Sequence, residues 1–137
     1  MRRIIIYLSA VASLLAVVIV VSCGGDDSVK LIFNQGQDGC ATTAQSVATI
    51  QCDDGSIIFE GSVITSNPCY YLKAQLDVAN QSNVEIVITA TSQLGEDDSC
   101  VECVGGISFD GTVELSNACS RSLSIVYNGD VIAEYER

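Results

Sequence analysis

Seven cysteines and no histidine bound the chemistry open to this 137-residue chain. Histidine is the usual general base and the commonest zinc ligand. Without it, Ser-His-Asp and Cys-His nucleophilic sites cannot be assembled. Cys100-Val101-Glu102-Cys103 is a CxxC pair. A redox CxxC opens a helix in a βαβ setting, whereas this one sits between stretches that read as strands. A zinc site needs a second pair of ligands, and Cys40 and Cys52 are the spare thiols. Structural disulfides account for the pattern better. Cys40, Cys52, Cys69, Cys100, Cys103 and Cys119 are an even set in a small chain, which is the arithmetic of a disulfide framework.

Carboxylates are the second group of candidates. Asp26-Asp27, Asp53-Asp54 and Glu96-Asp97-Asp98 are acidic runs. Calcium wants about six to eight converging oxygens, and none of the runs matches a known calcium loop. Glu96, Asp97 and Asp98 are the best of them, beside the simpler reading of a solvated loop. Asn80-Gln81-Ser82 is a glycosylation sequon at an expected hairpin tip. Tyr70 and Tyr71 are adjacent in an expected strand, so one of them must face outward, where it could meet a partner. No catalytic constellation emerges and no cofactor is implied. The chain reads as a non-enzyme.

What positions these residues is a repeat. Phe59-Glu60-Gly61-Ser62-Val63-Ile64-Thr65-Ser66-Asn67-Pro68-Cys69 returns fifty positions later as Phe109-Asp110-Gly111-Thr112-Val113-Glu114-Leu115-Ser116-Asn117-Ala118-Cys119. Internal repetition fixes architecture. In each copy apolar residues alternate with polar ones, as in a half-buried strand: Ile57, Phe59 and Val63 in the first, Ile107, Phe109, Val113 and Leu115 in the second. A glycine inside a strand marks a bulge or a close approach, so we expect a ring packed across Gly61 and Gly111. Leu72, Ala74, Leu76 and Val78 form the next alternating strand, and Val84, Ile86, Ile88 and Ala90 the returning one. Residues 123–127 and 131–135 are their counterparts, joined by Asn128-Gly129, a type I′ hairpin signal. Val29–Phe33 and residues 46–51 are two further strands, while the glycines in 34–43 read as a loop.

The fold class expected is all-β: a two-sheet antiparallel sandwich of immunoglobulin-like type, built from two β-β-β repeats (52–91 and 103–136) plus two N-terminal strands, with a small β-barrel as the alternative. A straight eight-residue strand spans roughly 25 Å, too far for a bridge between its ends. Pairs Cys52–Cys69 and Cys103–Cys119 are therefore disfavoured. Bridges between the halves or to Cys40 are favoured, with Cys69 taking Cys100 or Cys103.

The first residues are of another kind. Arg2 and Arg3 precede an apolar run from Ile4 to Val21, followed by Ser22-Cys23. Val20-Val21-Ser22-Cys23 resembles the lipobox of exported lipoproteins. That resemblance implies that residues 1–22 are a cleaved signal peptide and that Cys23 is lipidated. It also implies that 23–28 is a tether and 29–137 a single domain on the extracytoplasmic side of the cell membrane. An uncleaved transmembrane anchor and an ordinary secretory signal are the alternatives. Phe-x-Gly-x-Val with Ser-Asn-Pro-Cys-Tyr-Tyr-Leu, then Cys-x-x-Cys-Val-Gly and a second Phe-x-Gly-x-Val, resembles small exported lipoprotein-type β domains of archaea and some bacteria. This likeness imports no activity.

Without residues 1–22 the chain keeps all 17 acidic residues against Lys30, Lys73, Arg121 and Arg137. The resulting charge of about −13 excludes nucleic acid, whose phosphates demand basic contacts. The expected function is a membrane-anchored, non-catalytic binding or structural module at the cell surface. An inhibitor or specific binder of an exported protein such as a protease is one alternative, and a metal-binding sensor or carrier is another. Scaffold duties fall to what the two copies share, so function is expected in 34–43, Tyr70-Tyr71 and 95–102.

Overall fold

Alternation with period two runs through most of the domain, and strands follow it. A computed structural model describes residues 17–21, 29–80 and 82–136. Its strands are β1 (Val17–Val21), β2 (Val29–Cys40), β3 (Val47–Asp53), β4 (Ser56–Thr65), β5 (Tyr70–Asn80), β6 (Asn83–Ser92), β7 (Gly105–Glu114), β8 (Ser122–Tyr127) and β9 (Asp130–Tyr135), with a one-turn 3₁₀ helix at Ala118–Ser120. They form two facing sheets, ordered β1-β2-β7-β4-β3 and β5-β6-β8-β9. The molecule is a sandwich, not a closed barrel.

Phe59 and Phe109 make the centre of the larger sheet. Repeat strands β4 and β7 are antiparallel neighbours, in a register that sets Phe59 opposite Gly111 and Gly61 opposite Phe109. Each ring therefore lies across the glycine of the other copy. A Cβ on Gly61 would stand 2.7 Å from Phe109 Cζ, and one on Gly111 would collide with Phe59 Cζ. Phe33 of β2 also pairs with Gly111. Its ring centroid lies 6.4 Å from Phe59 and 5.9 Å from Phe109, within the range of aromatic pairs. These are all three phenylalanines of the chain. Ile57, Val63, Ile107 and Val113 extend the dry face, and Val84, Ile86, Ile88, Leu123 and Ile125 meet it from the other sheet, all nearly inaccessible.

Three features depart from the alternating pattern. Strand β2 does not stop at Phe33 but continues to Cys40 through a register shift between Gln35 and Asp38. A bulge absorbs the irregular residues that make this stretch look like a loop. Next, β6 and β8 are parallel, whereas the other strand pairs among the described residues are antiparallel. The chain crosses to the other sheet as β7 between them, and two crossings restore its direction. Third, Val78 is 40% exposed, because the β5–β6 register slips between Asp77 and Asn80.

Two turns follow residue chemistry closely. Asp54-Gly55 and Asn128-Gly129 both have positive φ at both residues, the requirement of type I′ hairpins. Tyr127 ties the sheets together: its hydroxyl, on β8, donates to the Ile64 carbonyl of β4 at 2.9 Å.

Three disulfides form, with Cα separations of 5.6, 5.7 and 6.1 Å: Cys40–Cys103 ties β2 to the start of the second copy, while Cys52–Cys119 and Cys69–Cys100 cross between the flanks of the two repeat strands. None links the two ends of one repeat strand. Antiparallel pairing of β4 with β7 explains this, since it brings the end of each copy beside the start of the other.

Candidate functional site

Segments 34–40 and 95–102, which the two copies do not share, meet the end of the first copy at one end of the sandwich. The start of β7 pairs with the end of β2, Gly105 opposite Cys40, and with the end of β4, Gly105 opposite Thr65. Residues 66–69, 93–104 and the end of β2 therefore converge. Two of the three bridges, Cys40–Cys103 and Cys69–Cys100, lie here.

Backbone bonds fix the same loops. Ala41 N–H donates to the Val104 carbonyl at 2.8 Å, and Gln93 N–H to the Cys69 carbonyl at 3.0 Å. The Thr65 hydroxyl, a buried polar group, donates to the Asn67 carbonyl at 2.6 Å. Asn67 Oδ1 accepts from Cys69 N–H at 3.0 Å. A short polar side chain folding onto its own backbone is how asparagine makes a turn. In the second copy Asn117 serves differently, adopting the left-handed conformation at φ 55° ahead of the 3₁₀ turn.

Between the loops is an open depression of about 700 Å³, with Asp38, Pro68, Leu94, Asp97, Asp98 and Val101 on its walls. Val101 is 65% exposed and Val104 beside it 55%. Val101 lies between the bridged Cys100 and Cys103, and Val104 follows Cys103, so two exposed apolar side chains stand beside two covalent clasps. Around them the charge is negative, from Asp38, Asp97, Asp98 and Glu102, all exposed.

The sequence candidates sort as follows. Cys100 and Cys103 bond to Cys69 and Cys40, not to each other, so the CxxC is two separate clasps. Asp98 Oδ2 accepts from Gly95 N–H at 2.8 Å, closing its own turn. Glu96, Asp97 and Asp98 thus share a loop without converging on a point. Among the described residues no three His, Cys, Asp or Glu side chains gather as metal ligands. Tyr70 packs against the core. Tyr71 is the outward tyrosine, with Lys73 Nζ 5.1 Å from its ring centroid. Hydrogen bonds with Lys73 first, then Thr91, hold the Tyr71 hydroxyl below its ordinary pKa. Asn80 ends β5, opposite Asn83, and Gln81 of the sequon lies outside the described residues. Cys23, the expected lipidation site, and residues 24–28, read as a tether, also lie outside them.

One residue escaped sequence reasoning. Gln35, on the bulge of β2, accepts from Leu72 N–H at 2.7 Å through Oε1. Its Nε2 donates to the Tyr70 carbonyl at 3.5 Å. The amide thus occupies the free edge of β5 as a strand would.

Comparison with protein-family models, with curated proteins and with solved structures finds no match. The resemblance to exported lipoprotein-type domains rests on the motifs alone.

Proposed function

We propose that this chain is a membrane-anchored, non-catalytic binding module, lipidated at Cys23 and displayed on the extracytoplasmic side, whose two-bridge loop end engages an exported protein. The polarity of β2 carries this reading. Val29, which follows the tether, starts β2, and Cys40, bonded to Cys103, ends it. Twelve residues of strand separate the two by roughly 35 Å. An anchor at Cys23 therefore stands the domain upright, with Val101 and Val104 directed away from the lipid. Three disulfides fit an oxidising exterior. The charge of the domain also agrees, because an acidic surface is repelled by anionic lipid and leaves the tether to hold it. An inhibitor of an exported protease is a special case of this reading, since rigid, disulfide-framed loops lose little entropy on binding.

Site-specific photocrosslinking in the native membrane tests the proposal. A photoreactive residue at Val101 or Val104 is expected to capture one saturable protein partner. The same residue at Val131, exposed on β9, is expected to capture none. Equal capture at both positions, or none at either, overturns the reading. The mass of the mature N-terminus tests lipidation separately: an acylated Cys23 is expected, and an unmodified Met1 contradicts it.

A further inference from the structure

A sandwich of two open sheets has exposed edges, and each edge is a template for another strand. Here the edges are closed in different ways. β3 lies beside β9 across the sandwich. The edge of β5 is capped by the Gln35 amide at Tyr70 and Leu72. The outer edge of β2 is closed over Val29–Phe33 by β1, which pairs antiparallel from Val17 opposite Phe33 to Val21 opposite Val29 without a register shift. Yet β1 belongs to the segment that the lipobox reading removes.

We infer that the Val29–Phe33 edge of β2 is a strand-acceptor site, vacated when residues 1–22 are cleaved and then filled by an apolar, β-branched strand of an exported partner. The inference rests on the cleavage proposed above and adds a second surface to it. The occupant is specified by what sits there in the unprocessed chain. Val-Val-Ile-Val-Val is all β-branched and runs antiparallel to β2. The edge it leaves is short and apolar, with Leu31 and Phe33 rooted in the core. Lys30, the charge on this edge, is engaged by Glu114 at 3.3 Å on the neighbouring strand. A second copy of the domain is the poorer occupant, because two bodies of about −13 each repel. Main-chain hydrogen bonds to the added strand would supply affinity, and the alternating side chains specificity.

The test uses the processed, oxidised chain isolated from membranes in detergent. Hydrogen exchange is followed at residues 29–33 with and without a peptide in which Val-Val-Ile-Val-Val is flanked by lysines for solubility. The peptide is expected to slow exchange at these amides by about tenfold. A version N-methylated at alternate residues, which cannot complete the ladder, is expected to do nothing. Unchanged exchange with the plain peptide, or equal protection by the methylated one, overturns the proposal. So does protection that rises with protein concentration in the absence of peptide, since a second copy would then be the occupant. A chain recovered with residues 1–22 attached overturns the cleavage reading together with this one. Failure of the peptide on a processed chain overturns this one alone.

Discussion

Alanine at Gly111 is the most direct probe of the repeat. Its Cβ would lie 2.5 Å from the Ile32 carbonyl oxygen and 2.9 Å from Phe59 Cε1, and closer still to Phe59 Cζ. Ile32 O belongs to the backbone of β2 and Phe59 is locked in the aromatic cluster, so neither yields cheaply. Overpacking of this kind costs typically about 1–3 kcal/mol. The upper end applies where backbone must move. Replacing a strand glycine returns about 0.5–1 kcal/mol of chain entropy. A net loss of about 2 kcal/mol is therefore expected, lowering Tm by roughly 10 °C for a domain of this size. Thermal unfolding of the oxidised chain, followed by circular dichroism, reads it. Gly39→Ala is the control, because nothing stands within 4 Å of its would-be Cβ. It should be unchanged or more stable by up to about 1 kcal/mol, since only the entropy gain applies. A second arm removes the far end of the ring with Phe59→Leu. The double variant Gly111→Ala with Phe59→Leu should be more stable than the sum of the singles predicts, by about 1 kcal/mol. A Gly111→Ala chain within about 0.5 kcal/mol of the parent, or strict additivity with Phe59→Leu, would refute the ring-over-glycine account.

Further outcomes follow from the bridges, Tyr127 and the loop end. Removing Cys52–Cys119 by paired alanines opens a bridge of sequence separation 67 and should cost about 4 kcal/mol on the chain-entropy model, read as a lowered urea midpoint. Burial raises the Tyr127 pKa above 10.0, outweighing the Asn128 hydrogen bond that lowers it. The unfolded chain therefore loses this proton first, and the stability linked to it is intact below about pH 10 and lost as pH rises through the folded pKa. Tyr127→Phe should flatten that alkaline loss while costing about 1 kcal/mol at neutral pH for the missing bond to Ile64, both read from denaturant melts across pH. Val101→Ser with Val104→Ser should change stability by no more than about 0.5 kcal/mol, because both side chains are exposed, and should still abolish crosslinking from neighbouring positions at the loop end.

Local signals were legible in the sequence and long-range ones only partly so. Phe59, Gly61, Phe109 and Gly111 announced their packing because period-two alternation and a misplaced glycine are both local. Asn128-Gly129 announced its turn for the same reason. The 34–40 stretch did not announce a strand. Gly36 and Gly39 mark loops in isolation, whereas here β7 holds the segment extended and the bulge at Gln35–Asp38 takes up the slack. The parallel pairing of β6 with β8 left no trace, since it depends on where β7 goes. Val17–Val21 shows the same ambiguity: an apolar run fits a lipid bilayer or a sheet edge, and composition alone does not separate them. The unshared segments 34–40 and 95–102 do come together at one end of the sandwich. Which side chains meet there was not legible, because Asp38, Pro68 and Val101 come together through two long-range pairings, β2 with β7 and β4 with β7.

The bridges show which part of the molecule exceeds the needs of the fold. At an offset of fifty residues Cys69 corresponds to Cys119, and Cys103 falls one position from the counterpart of Cys52. A molecule obeying its own repeat would pair Cys52 with Cys119 and Cys69 with Cys103. It makes the first of these and departs from the second. Cys100 takes Cys69, and Cys103 is released to Cys40. Cys40 and Cys100 are thus a pair beyond what the repeat requires, and both lie at the loop end. One bridge suffices at the end where β2 starts; two are used where Val101 stands in the open between Cys100 and Cys103. Clamping a short loop on both sides costs nothing to the core and keeps an apolar side chain from folding back onto it. This arrangement supports the binding surface proposed for the loop end. The same reasoning predicts that opening Cys40–Cys103 alone, by paired alanines, should weaken capture of a partner at the loop end more than opening Cys52–Cys119 does, at equal folded fraction. The reverse order would place the function elsewhere.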